Sequence, residues 1–70
     1  MTIKEIWESC SSEQRRALQT AVMNDGVGAT AAYNYLTGRQ QPMKLYKESI
    51  REHVRRIMGL EITTEELFRV

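Results

Sequence analysis

Apolar residues recur along this chain at intervals of three and four, and only briefly, around Leu60 to Thr63, do they alternate with polar ones. The longest such pattern runs over 43–58. There Met43, Tyr46, Ile50, Val54, Ile57 and Met58 share one face, while Lys44, Lys47, Glu48, Arg51, Glu52 and Arg55 take the other sides, which predicts an amphipathic helix. Pro42 suits its first position, where a missing amide hydrogen is harmless, with Gln41 as a weak cap. Arg55 and Arg56 complement the negative end of its dipole, and Gly59 stops it.

The same period predicts a first helix from about Ile3 to Ser9, burying Ile3, Ile6 and Trp7 behind a Thr2 cap. A second runs over 13–24. Ser11 and Gln14 fit a capping box ahead of it, with Leu18, Ala21 and Val22 facing inward and Arg15, Arg16 and Gln19 outward. Gly26 supplies a left-handed residue for a tight stop, and Val27 drops into the core. A third helix, 29–37, turns Ala32, Tyr35 and Leu36 inward and ends at Gly38. It is too short to persist alone in water, so its neighbours must hold it. Thr63 or Thr64 caps a last turn over 64–69, with Glu65 and Glu66 at its favourable end and Leu67 and Phe68 packing. The expected fold class is all-α, a small bundle of four to five helices.

Seventy residues allow one compact domain and no second core. No apolar run approaches the ~18 residues of a membrane span. Lys4, Glu5 and Glu8 interrupt the first segment where a secretory leader would be continuously apolar, so a cytoplasmic protein is expected. Cys10 stands alone, cannot form an internal disulfide, and reads as a small packing residue.

The formal net charge is only +1, but its distribution is uneven. Between Gln14 and Gly59 eight basic residues face three acids, whereas the segments before and after are each net acidic. A basic centre with acidic flanks is compatible with a polyanionic partner. Arg51, Arg55 and Arg56 have Glu48 and Glu52 at helical spacing, so these three read as a solvated, locally balanced face.

Catalytic chemistry has little to work with. His53, between Glu52 and Val54, and Cys10 are each the only residue of their type, and no carboxylates cluster among apolar residues. Zinc-ligand spacing and a glycine-lysine phosphate loop are both missing. The chain reads as a non-enzyme, without metal, cofactor or small-molecule substrate.

Thr30, Tyr33, Asn34 and Thr37 fall at i, i+3, i+4 and i+7 of the third helix, forming an outward stripe of uncharged hydrogen-bonding side chains. The stretch DGVGATAAYNYLTGRQQP that contains it resembles the helix-turn-helix DNA-binding domains of the phage-repressor type, lambda repressor and Cro among them. Gly26, Val27, Gly28, Ala32, Tyr35 and Gly38 occupy the turn, apolar, capping, inward and closing positions of that motif. The resemblance covers about thirty residues. It makes 13–24 the supporting helix and 29–37 the recognition helix, with Val22 where a smaller residue is usual and Gly28 where Ser or Thr often caps.

It implies sequence-specific binding of double-stranded DNA by a small transcriptional regulator or accessory factor. A dimer is expected, because one short helix reads only a few base pairs. The recognition helix holds no Arg or Lys, so bidentate contacts to guanine are absent from it. Asn34 becomes the candidate for a bidentate contact to adenine, Thr30 for contact with a thymine methyl or a hydroxyl hydrogen bond, Ala29 for contact with a methyl, and Tyr33 for sugar, phosphate or base. Phosphate contacts fall to Thr37, Arg39, Gln40, Gln41 and Lys44 on one side and Arg15 or Arg16 on the other. The alternative is a protein-interaction module on the same scaffold, such as an antitoxin, adaptor or anti-repressor, working through the neighbourhood of Tyr33 and Tyr35 or the acidic tail. RNA binding is a further alternative. Leu60, Leu67 and Phe68 are left to cover either the chain's own core or a subunit contact.

Overall fold

The computed structural model describes residues 1–69 and is all-helical among them: α1 (Ile3–Ser9), α2 (Ser12–Asn24), α3 (Ala29–Leu36), α4 (Lys44–Met58) and α5 (Thr64–Leu67). No helix of the described residues is long and apolar enough to cross a membrane. The period of three and four decides the packing. Ile3, Ile6 and Trp7 of α1, Leu18 and Val22 of α2, Ala32 and Leu36 of α3, Ile50 and Val54 of α4, and Leu67 of α5 converge on one buried cluster, joined by Cys10, Val27 and Phe68. α2 lies at its middle, packed against both α3 and α4, while α1 closes on α3 and α5 on α4. Leu67 and Phe68 thus cover the chain's own core, and Leu60 packs beside it, half-buried.

Caps set three of the helix starts. The Thr2 hydroxyl accepts the Glu5 amide while the Glu5 carboxylate accepts the Thr2 amide, and Ser11 and Gln14 repeat this reciprocal pair before α2. Thr63, rather than Thr64, caps α5. At α4 the expectation fails by two residues. Pro42 is buried outside the helix, Gln41 caps nothing, and Met43, with extended backbone, is the residue from which the helix departs. The proline ring is held by packing instead of serving as the first helical residue, which carries Met43 out of the core to 63% exposure; Leu45, 72% exposed, follows it. The remaining α4 stripe behaves as its spacing predicts, with Ile50 and Val54 fully covered and Tyr46, Ile57 and Met58 half-buried.

Cys10 packs as expected, its Sγ 3.7 Å from the Met58 Sδ. Burial pushes its thiol above the ordinary value, which disfavours the reactive thiolate.

Two outcomes follow from this packing. Leu18→Ala removes a fully buried side chain at the centre of the cluster and should destabilise the fold by about 2–5 kcal/mol, read as a lower urea midpoint. The second concerns acid. Hydrogen bonds from Thr2 hold the Glu5 carboxyl below its usual range, and Arg55 does the same for Glu52. Stability from these contacts is complete above the unfolded carboxylate value of about 4.3 and is lost as pH falls through the lower folded values. Urea midpoints should therefore drop on acidification below about pH 5, less steeply in Glu52→Gln.

Candidate nucleic-acid interface

The α2–α3 connection is built by glycine geometry. Asp25 ends α2, Gly26 takes φ +99°, Val27 turns into the core, and Gly28 precedes α3 with extended backbone and no side-chain cap. A side chain at position 26 would have open space but the wrong backbone region, whereas position 28 has both open space and an ordinary φ of −65°. Behind this turn the His53 Nε2 lies 2.9 Å from the Asp25 carboxylate, and the Arg56 guanidinium lies 2.8 Å from Nδ1. Arginine can only donate, so Nδ1 accepts and the Nε2–H donates to Asp25. This link from α4 steadies the end of α2.

α3 itself closes in a Schellman arrangement. The Arg39 amide donates to the Asn34 carbonyl at 2.9 Å, the Gly38 amide reaches the Tyr35 carbonyl at 3.4 Å, and Gly38 takes φ +80°. Arg39 therefore leaves the helix in a fixed direction. Its guanidinium lies 5.7 Å above the Tyr33 ring, which meets Trp7 edge-on at 6.0 Å, and Arg15 stacks on Trp7 from 5.4 Å. The result is a continuous ladder, Arg15–Trp7–Tyr33–Arg39, linking α2, α1 and the end of α3.

The polar stripe is less uniform than its spacing implies. Thr30 and Ala29 are exposed, Asn34 is half-buried, and Tyr33 keeps 40% exposure while resting on Trp7. Thr37 lies just beyond α3 as its cap residue, and its hydroxyl donates to the Tyr33 carbonyl at 2.7 Å. Tyr35, on the inward side, packs at a tilt against Tyr46. The phosphate candidates also divide. Arg39, Gln40 and Gln41 are exposed between α3 and α4, Lys44 is exposed at the start of α4, and Arg16 is exposed on α2. Arg15 is instead engaged by α1, its Nε donating to the Trp7 carbonyl at 3.0 Å, where it also meets the negative end of the helix dipole.

Ion pairing sorts the remaining basic residues. Arg51 pairs with Glu48 at 3.2 Å and Arg55 with both oxygens of Glu52, whereas Arg56, expected to be balanced in the same way, reaches no carboxylate and donates to His53 instead. Among the described residues, Lys4, Arg15, Arg16, Arg39, Lys44, Lys47, Arg56 and Arg69 have no carboxylate within 4.0 Å; of these, Arg15 is held by the Trp7 carbonyl and Arg56 by the His53 ring. In the sequence Lys4 sits in a net acidic segment, with nothing local to link it to this surface. Its stem lies against Gly38, where an added Cβ would come within 3.2 Å of the Lys4 Cβ. Only the packing of α1 on α3 brings the two together.

No group of three His, Cys, Asp or Glu residues is placed to hold a metal ion among the described residues. No protein-family description, curated protein or solved structure matches the chain.

The two turn glycines should respond oppositely to substitution. Gly26→Ala should destabilise by about 1–2 kcal/mol through its left-handed backbone, whereas Gly28→Ser should stabilise by a few tenths of a kcal/mol by capping α3. Urea unfolding of both variants checks the pair.

Proposed function

We propose that the chain is a small sequence-specific binder of double-stranded DNA, with α2 as the supporting helix and α3 as the recognition helix of a phage-repressor-type helix-turn-helix. One observation carries the reading: a short helix with exposed Ala29 and Thr30 and a partly exposed Asn34 ends in a rigid turn that projects Arg39, Gln40, Gln41 and Lys44. Base-reading groups beside phosphate-reading groups are what a groove-entering helix needs.

The charge pattern supports it. Lys44 and Lys47 occupy the first turn of α4, where no acidic residue offsets them and no side chain caps the helix. Cations at that end oppose the helix dipole, a local cost that a bound polyanion would reverse. Of the nine acidic residues, Glu48 and Glu52 pair with arginines of α4, Glu5 completes the cap of α1, and Glu65 and Glu66 lie in the first turn of α5. In this reading Asn34 supplies the bidentate contact to adenine, Ala29 and Thr30 meet thymine methyls, and Tyr33 reaches sugar or phosphate at the groove edge. Thr37, whose hydroxyl is already committed, and Arg15, committed to α1, act by holding the frame. Arg16 remains the phosphate contact on the α2 side. A homodimer would join two such helices on one duplex, and a transcriptional or accessory role in the cytoplasm follows from that use.

Selection from random duplexes at defined salt tests the reading. Enrichment of a short site is expected, and equal retention of all sequences, or none, would overturn it. On the selected site, Asn34→Ala should relax preference at one position by about 1–3 kcal/mol. Arg39→Ala should weaken selected and unselected duplexes alike and reduce the salt slope by about one.

A further inference from the structure

We infer that the notch between α1 and the end of α3 is a seat for one backbone phosphate of the nucleic acid, with Lys4 as a ligand from outside the helix-turn-helix. The inference rests on the proposed DNA-binding reading and extends its contact surface onto α1. The notch encloses about 390 Å³ and is lined by Lys4, Trp7, Glu8, Tyr33 and the Thr37–Arg39 turn.

Three features of its walls favour a phosphodiester. Two cations, Lys4 of α1 and Arg39 just past α3, line it without a carboxylate within 4.0 Å of either, so neither charge is spent on an ion pair. Arg39 is positioned in advance, held by its backbone bond to Asn34 and by the Tyr33 face, and the bare Cα of Gly38 leaves room for the Lys4 stem beside it. The Tyr33 ring, anchored on Trp7, forms another wall of the same space and holds the Arg39 guanidinium over its face. Preorganised donors lose little side-chain entropy on binding.

Glu8 is the opposing element. It lines the notch with Lys4 and Arg39 and, without pairing closely to either, repels any anion that enters. Lys4 and Glu8 therefore act on one ligand with opposite sign. That contrast separates a binding role from a structural one, because both side chains are exposed and neither belongs to the core.

Binding of the full chain to a short mixed-sequence duplex, measured across a salt series, tests this with Lys4→Gln and Glu8→Gln. Lys4→Gln should weaken binding several-fold and lower the salt slope by about 0.9, the value for one phosphate contact. Glu8→Gln should tighten binding a few-fold, and both variants should keep the wild-type urea midpoint. Wild-type binding with an unchanged slope in Lys4→Gln, or weakening in Glu8→Gln, overturns the phosphate seat while leaving the DNA-binding reading intact. No wild-type binding even at low salt overturns both. Two further arms fix the source of the anion: saturable shifts of the Gly38 and Arg39 amides with inorganic phosphate alone would assign the notch to a free anion. Polyglutamate binding with the same dependence on Lys4 and Glu8 would assign it to an acidic peptide. Either result overturns the backbone-phosphate assignment.

Discussion

Leu18 and Val22 lie one turn apart on α2 and are wholly removed from water, and α3 and α4, packed around that face, fix the connection between them that carries Arg39, Gln40 and Gln41 of the proposed interface. α3 has eight residues and no side-chain cap, so it has no independent stability and takes its position from Ala32 and Leu36 pressed into the shared core. The placement of Asn34 and Arg39 is therefore a property of the core before it is a property of the turn. Loss of packing on α2 would disperse the surface groups even if every one of them remained in the chain.

A second set of constraints works from outside. Asp25, His53 and Arg56 tie the end of α2 to α4, while the ladder from Arg15 through Trp7 and Tyr33 to Arg39 ties the start of α2 and the end of α3 to α1. The first tie grips the α2–α3 unit at its turn and the second at its two outer ends. Trp7 illustrates the economy of this arrangement: one face of α1 supplies a core side chain, a carbonyl for Arg15 and an edge for Tyr33.

Much of this was legible in the residues themselves. Helical periodicity placed Ile6, Leu18, Val22, Leu36, Ile50 and Val54 inside, and the Ser11–Gln14 pair, Gly26, Gly38 and Gly59 marked helix limits, because caps and left-handed stops are decided within a few residues. Pro42 misled because its alternatives, first helical residue or buried residue ahead of the cap, differ only in what packs against the ring. Lys4 and Trp7 acquire their roles from α3 neighbours far along the chain, so no local pattern announced them. Tyr33 and Thr37 share a helical stripe with Asn34, yet one leans on another helix and the other bonds its own backbone. Spacing identifies a face; it does not say which members of that face remain at liberty.

The core described here contains no buried polar or charged side chain among the described residues. Apart from Cys10, whose thiol meets the Met58 sulfur, and Trp7, which carries the ring contacts, its members are related by size and shape. Aliphatic positions of this kind accept volume-conserving exchanges at under about 1.5 kcal/mol each. The architecture can thus outlast the identity of nearly every residue inside it, and descent in such a molecule is written in residue volumes and turn glycines more durably than in its letters.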